Sequence, residues 1–260
     1  MKTFGLIGYP LTHSISEKYF TNKFFKEKQL DVEYRLFPME HITQLNELIE
    51  NNPFLSGFNV TIPYKTAVIP FLTLNAEAST VGAVNTVKII RDSESKPCKL
   101  IGYNTDIFGF HKSIKPLLKS GHKKALVLGA GGGAKAVVYI LNQMGIKFIL
   151  VSRNPRSIQG WENFKIPPDQ VISYGDITLQ TINAHKIIIN TTPLGMYPET
   201  GECPKLPYEG TGKDHLFYDL IYNPEETEFL KRGKAYCAVT KNGKEMLELQ
   251  ADRSWEIWME

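Results

Sequence analysis

Residues Gly129-Ala130-Gly131-Gly132-Gly133-Ala134 form a run with almost no side chain, between the apolar stretch Ala125 to Leu128 and an Ala-, Val- and Leu-rich stretch that reads as a helix from Gly132 to Met144. With a strand before it and a helix after it, a G-x-G-x-x-A pattern predicts a nucleotide-binding turn, the alternative being a structural glycine turn. The physical demand is threefold: a tight turn, bare backbone where a pyrophosphate can approach, and a small residue where helix and strand pack closely. Amides at the helix N-terminus then face the phosphates. The same residues also satisfy G-x-G-x-G, a methyl-donor pattern, so the end of the next strand has to discriminate. Strand Lys147 to Val151 ends in Ser152-Arg153-Asn154-Pro155-Arg156 and offers no carboxylate to hold ribose hydroxyls. Arginine at this point suits a 2′-phosphate, through charge-assisted and often bidentate bonds to its oxygens. The expected cofactor is therefore NADP, with Arg156 equally well a solvated surface residue.

Alternation of short β-like runs with amphipathic segments fills the rest of the chain and predicts an α/β fold. Strands are expected at Phe4 to Gly8, Glu33 to Phe37 and Gly57 to Val60, and helices at Glu17 to Gln29 and Ile42 to Glu50. Ala83 to Ile90 and Lys99 to Asn104 flank the polar connection Arg91 to Pro97 and read as a hairpin, which makes the first sheet mixed. From Lys123 a doubly wound unit follows, with later strands at Lys186 to Asn190, Leu216 to Leu220 and Ala235 to Val239. Gly243 to Glu260 looks helical.

Hydrophobic residues make up 42% and charged residues 22% of the 260, the balance of a soluble globular chain, which excludes disorder, collagen and coiled coil. The net charge of +3 is too slight to predict nucleic-acid binding. The longest nearly uncharged apolar stretch, Ala125 to Ala134, is about half the ~20 residues of a membrane span. The run Phe4 to Ile7 is too short for a signal-peptide core, so the cytoplasm is the expected compartment. Cys98, Cys203 and Cys237 are odd in number, widely separated and lack a Cys-x-x-Cys pair, so no disulfide framework and no metal site is expected, only buried or inert thiols.

The remaining polar chemistry lies in the first half. Ser14-Ile15-Ser16 follows a turn and precedes a helix, where Ser16 as an N-cap is the simpler reading. Asn59-Val60-Thr61-Ile62-Pro63-Tyr64-Lys65 ends a strand and starts a helix, with Pro63 in its first turn. Asn59 and Thr61 point one way along an extended segment, and Lys65 follows within a turn. Asn85, in the strand Ala83 to Ile90, needs solvent or a partner. Asn104-Thr105-Asp106 closes the next strand, where Thr105 or Asp106 as a cap for the helix Ile107 to Leu118 is the simpler reading. In a molecule with a dinucleotide fold, a lysine and an aspartate at the ends of neighbouring elements suit hydride transfer at a carbinol carbon. The alcohol proton must leave on oxidation and arrive on reduction. Lys65 takes it, or holds the hydroxyl while a water does, and Asp106 orients the alcohol and keeps the lysine charged.

Taken together these motifs resemble the shikimate dehydrogenase family. The resemblance runs through Gly8-Tyr9-Pro10 with Ser14 and Ser16, Asn59 to Lys65, Gly82-Ala83-Val84-Asn85-Thr86, Gly102-Tyr103-Asn104-Thr105-Asp106 and the glycine loop. It continues through Asn190-Thr191-Thr192-Pro193-Leu194-Gly195-Met196, Asp219-Leu220-Ile221-Tyr222-Asn223-Pro224, and Gly243 through Met246-Leu247 to Gln250-Ala251. It implies reversible reduction of 3-dehydroshikimate to shikimate with NADPH, on the route to chorismate and the aromatic amino acids. By position it makes Lys65 and Asp106 the catalytic pair, Ser14 and Ser16 the partners of the substrate carboxylate, and Asn59, Thr61, Asn85 and Gln250 the hydroxyl-binding shell. Gly129, Ala130, Gly131, Gly132, Gly133 and Ala134 match the pyrophosphate loop, while Met196, Gly243 and Tyr222 match positions beside nicotinamide and substrate. Ser152, Arg153 and Asn154 occupy the adenosine-phosphate clamp, where many members have Asn-Arg-Thr; the arginine is kept and the other two differ.

If Gln250 reaches substrate, the C-terminal helix must return to the first domain, with Trp255 and Trp258 packing. The expected division is then an N-terminal α/β substrate domain, 1–106 with 240–260, and a Rossmann-like NADP domain, 107–239. The second holds 16 basic against 11 acidic residues and the first 14 against 16, so the cofactor half is the basic one. Expected partners are the small-molecule substrate, with neither nucleic acid nor membrane, in a monomer or homodimer. The rivals are an NAD-using quinate/shikimate dehydrogenase and an inactive NADP-binding sensor of the same fold.

Overall fold

A computed structural model describes residues 1–11, 15–92, 96–158, 160–161, 164 and 170–260, and the chain forms two compact units, Met1–Thr105 with Gln250–Glu260 and Asp106–Leu249. The first unit is thus discontinuous, and the chain re-enters it at Gln250 rather than at 240.

In order, the first unit contains β1 (Lys2–Gly8), α1 (Ile15–Lys26), β2 (Val32–Pro38), α2 (Leu45–Asn51), β3 (Leu55–Val60), β4 (Thr73–Leu74), α3 (Ala76–Val81), β5 (Thr86–Arg91) and β6 (Pro97–Tyr103). They build one mixed sheet of order β2-β1-β3-β5-β6-β4. β1 is parallel to both neighbours, and the expected hairpin β5-β6 is antiparallel. Alternation along β1 sends Phe4 and Leu6 to one face and Ile7 to the other, giving the sheet two apolar layers. Phe20 and Phe24 of α1 pack on the Phe4 face together with Ala251, Trp255 and Trp258 from the chain's last helix. Trp258 stacks on Phe4 with ring centroids 4.7 Å apart, and its indole N–H donates to the Val87 carbonyl at 2.9 Å.

The second unit contains α4 (Asp106–Ile114), β7 (Lys124–Leu128), α5 (Gly132–Gln143), β8 (Lys147–Val151), β9 (Val171–Ile172), α6 (Leu179–Ala184), β10 (Ile187–Asn190), β11 (Leu216–Asp219), α7 (Glu228–Ala235), β12 (Val239–Lys241) and the start of α8 (Lys244–Met259). Its sheet, β12-β11-β10-β7-β8-β9, is parallel throughout. Counted from β7, this is the 3-2-1-4-5-6 order of a dinucleotide-binding fold, with the strand order reversing between β7 and β10. Every residue of β10 and β11 is buried, as a sheet covered on both faces requires.

Four local expectations are corrected. The strand expected at Ala235 to Val239 starts only at Val239, because α7 runs to Ala235 and Cys237 turns the chain at φ 63°. Ser16 lies inside the first turn of α1 rather than ahead of it. No α-helix starts at Pro63: turns follow β3 and lead to a short 3-10 segment, Ile69–Phe71. The helix expected to reach Leu118 leaves α geometry after Ile114, where Pro116 lacks the N–H that would continue it. Cys237 is exposed and Cys203 half-buried, so burial does not describe these two thiols. Among the described residues no helix is long and apolar enough to cross a membrane.

A β-carbon at Gly57 would overlap the Trp258 indole and come within 2.8 Å of the Val87 carbonyl oxygen. Gly57→Ala is therefore expected to destabilise the protein by about 1–3 kcal/mol, the usual cost of overpacking, measured as a lower midpoint in urea unfolding.

Candidate functional site

The first unit gathers a buried polar cluster at one end of its sheet. Asn59, at the end of β3, accepts from the Tyr34 hydroxyl at 2.8 Å and donates to the Asn85 carbonyl, Thr86 Oγ1 and Ser254 Oγ at 3.0–3.2 Å. Asn85 lies just before β5 rather than in it; its Oδ1 accepts the Thr105 amide at 2.6 Å, and its Nδ2 reaches Thr105 Oγ1 at 3.0 Å and Gln250 Oε1 at 3.2 Å. Ser254, one turn beyond Gln250, bonds Thr86 at 2.7 Å and Thr105 at 3.1 Å and donates to the Gln250 carbonyl. Burial explains this density of bonds, since each unpaired buried polar atom would cost the fold its full desolvation. Asn59 is thus a crosslink, whereas Gln250 and Thr61 are only half-buried.

Lys65 is half-buried in the turn after β3, and its main chain is clamped on both sides. The Tyr64 hydroxyl donates to the Met39 carbonyl at 2.6 Å, and the Lys65 carbonyl accepts the Val84 amide at 2.7 Å. Asp106, next in the chain after the bonded Thr105, is buried and opens α4, where the helix dipole favours a carboxylate. Ser16 is half-buried; Ser14 lies outside the described residues.

In the second unit the glycine loop leaves β7 at the strand-order reversal. Gly129 has φ 106°, which L side chains avoid, and a β-carbon there would sit 2.7 Å from Thr191 Oγ1. Thr191 itself donates its amide and hydroxyl to the Leu128 carbonyl, at 2.9 and 2.7 Å. Gly131 is the N-cap of α5, and a β-carbon on it would meet nothing within 4 Å among the described residues. Bare backbone at a helix N-terminus is what a pyrophosphate needs, so the loop fits a dinucleotide. The Trp161 indole N–H holds the loop from outside by donating to the Ala130 carbonyl at 3.0 Å. After β8, Ser152 is half-buried, and Arg153 and Asn154 are exposed at a strand end without a carboxylate. Nearby, burial pushes the Tyr174 phenol up to about 12, with the Arg153 charge pulling the other way.

The last residues of β10 and β11, Asn190 and Asp219, are buried and linked. Asp219 Oδ1 accepts from Asn190 Nδ2 and the Ile221 amide, both at 3.0 Å, and its Oδ2 accepts from the Thr227 hydroxyl at 2.6 Å. Burial raises the Asp219 carboxyl to about 7, against the three hydrogen bonds, which lower it. Met196 is largely exposed in the loop after β10; Tyr222 is half-buried in the loop after β11, and burial raises its phenol. Gly243, just before α8, is pressed so closely on the Leu220 backbone that no side chain fits.

The family model described as shikimate dehydrogenase substrate binding domain matches residues 6–87. The NADP(+) shikimate dehydrogenase of Clostridium beijerinckii is 41% identical, covering 100% of this chain and 93% of its own, and that of Carboxydothermus hydrogenoformans is 38% identical over 99% and 91%. The chain belongs to the shikimate dehydrogenase family. The crystal structure of shikimate 5-dehydrogenase from Thermus thermophilus, in complex with NADP(H) and shikimate, superposes with a TM-score of 0.82 at 28% identity, covering 99% of this chain and 93% of that one.

In this member of the family, each unit brings its own residues together: Asn59, Asn85 and Gln250 in the first, the glycine loop and the β10 and β11 loops in the second. Sequence reasoning missed Tyr34, Ser254 and Trp161, whose partners lie 25 or more residues away, and Thr227, which bonds Asp219 only eight residues away but itself lies outside the motif blocks. Ser254 alone carried a signal, lying one helical turn after Gln250 on the same face.

Because folding raises the Asp219 carboxyl from its ordinary 3.8 to about 7, the native state holds a proton there that the unfolded chain has released. Stability from this group is full below the unfolded value and is lost as pH rises from about 4 to about 7. Relative to Asp219→Asn, the wild-type unfolding free energy in urea is expected to decline across that window and then level off; parallel profiles would show that the carboxyl titrates normally.

Proposed function

We propose that this protein is an NADP-dependent shikimate dehydrogenase that interconverts 3-dehydroshikimate and shikimate on the route to chorismate and the aromatic amino acids. The observation that carries the reading is similarity to NADP(+) shikimate dehydrogenases along the whole chain, at 38% and 41% identity. The cofactor choice has a chemical reason as well, since β8 ends in Ser152-Arg153-Asn154 with no carboxylate to oppose a 2′-phosphate.

Ser14 and Ser16 bind the substrate carboxylate; Thr61, Asn85 and Gln250 bind its hydroxyls, and Tyr222 lies against it. Asn59 belongs to the same shell, and its amide, like that of Asn85, is held at both ends inside the first unit. Residues 129–134 cradle the pyrophosphate, Arg153 with Ser152 and Asn154 holds the 2′-phosphate, and Met196 and Gly243 border the nicotinamide. The cofactor supplies hydride acceptance from, or donation to, the carbinol carbon. Lys65 takes the alcohol proton on oxidation and returns it on reduction, directly or through a water it holds. Asp106 orients the same hydroxyl and favours the charged lysine. The substrate unit is 1–105 with 250–260, and the cofactor unit is 106–249.

Purified protein is expected to reduce NADP in a shikimate-dependent manner, seen as rising absorbance of the reduced nicotinamide, with NAD and quinate poorer partners. A folded protein without turnover would favour the sensor reading, and preference for NAD with quinate the other rival. Lys65→Ala should lower kcat by about two orders of magnitude or more while shikimate affinity changes little, because proton handling matters mainly in the transition state. Isothermal titration with shikimate checks the second half. Arg153→Ala should weaken NADP binding by about 1–3 kcal/mol and leave NAD binding nearly unchanged, measured by cofactor titration. Equal losses for both cofactors would mean that Arg153 only packs.

A further inference from the structure

Asp219 takes no part in the chemistry above, yet it is fully buried together with two of its partners, Asn190 and Thr227. A buried carboxylate is a poor device for stability alone, since replacing such a charge with well-packed apolar groups is often neutral or stabilising. What sets Asp219 apart is what its donors carry. Asn190 uses its own Oδ1 to accept the Thr192 amide at 3.0 Å and the Thr192 hydroxyl at 2.7 Å, fixing the start of the loop that leads to Met196. The Ile221 amide, bonded to Asp219, immediately precedes Tyr222, and the Ile221 carbonyl accepts the Gly243 amide at 2.9 Å. The two loops are tied once more by the Tyr197 amide, which donates to the Asn223 carbonyl at 3.2 Å. Thr227, the third donor, is also the N-cap of α7 and anchors the far end of the second loop.

We propose that Asp219 is a positioning residue for hydride transfer: its two oxygens hold the loops bearing Met196, Tyr222 and Gly243 in one register. The proposal rests on the shikimate dehydrogenase reading of those three residues. At an assay pH above about 7, where the carboxyl is ionised and both oxygens only accept, asparagine in its place presents an N–H₂ group to a site lined by three donors, so one donor must lose its acceptor and the register of the loops loosens. Binding of the adenosine and pyrophosphate parts depends on Arg153 and the glycine loop and is spared.

The test is steady-state kinetics of the full-length enzyme with NADP and shikimate, unlabelled or deuterated at the carbinol carbon that gives up hydride. For Asp219→Asn, kcat is expected to fall about tenfold or more, with NADP affinity and shikimate KM held within about threefold and a larger deuterium isotope effect. Thr227→Val removes one donor without changing shape and should show the same pattern more weakly, while Thr227→Ser restores the hydroxyl and the rate; this pair carries the test if Asp219→Asn does not fold. An unchanged kcat overturns the proposal, and so does a fall in kcat with an unchanged isotope effect, which signals fewer competent molecules. Absence of turnover in the wild type is distinguishable from both, and it overturns the family reading and this assignment with it.

Discussion

A polar side chain buried at the end of a strand has to find its hydrogen bonds inside the protein, and in doing so it fixes whatever loops supply them. Both units of this protein depend on that constraint. In the first, Asn59 and Asn85 stand where neighbouring strands end or begin, and they tie Tyr34, Thr86, Thr105, Gln250 and Ser254 into one cluster. In the second, Asn190 and Asp219 end adjacent parallel strands and tie down the loops that follow both. The apolar layers make each sheet stable, but apolar contact is non-directional and does not specify where a loop stands to within a few tenths of an ångström. The buried amides and the carboxylate supply that specification, in segments that have no secondary structure of their own.

The glycine loop obeys a complementary constraint. Its job is to present backbone, so it can carry no side chain to anchor itself, and its anchors come from elsewhere. Thr191 bonds the Leu128 carbonyl at its root, and Trp161 bonds the Ala130 carbonyl within it. Gly129 is locked by a positive φ and by Thr191 and Thr192 pressed against it. A cradle anchored in this way would have little ordering left to do on taking a phosphate, which is the general benefit of preorganisation.

The elements with clear periodicity were legible in the amino-acid sequence. The parallel strands around residues 125, 150, 188 and 217 and the C-terminal helix stand within a residue or two of their expected bounds, and the β5-β6 hairpin is present with β5 starting three residues later than expected. Two of the failures share a cause, in that tertiary context overrode a local pattern. Ala235 to Val239 is apolar throughout but divides between a helix end and a strand start, and the Pro63 segment follows its surroundings rather than helix-start chemistry. Site residues held within motif blocks, such as Asn59, Asn85 and Gln250, were legible as candidates. That Asn59 serves as a crosslink was not, because it depends on Tyr34 and Ser254, 25 and 195 residues away in the chain.

Loop amides bonded to buried side chains offer the most direct measurement of this account. The amides of Thr105, Thr192 and Ile221 lie outside helices and strands, and they donate to Asn85, Asn190 and Asp219, respectively. Native-state hydrogen exchange followed by NMR is predicted to show these three amides protected to the same degree as the strands beside them. Exchange at the rate of exposed loop amides would contradict the claim that buried strand-end polar groups hold these loops in place.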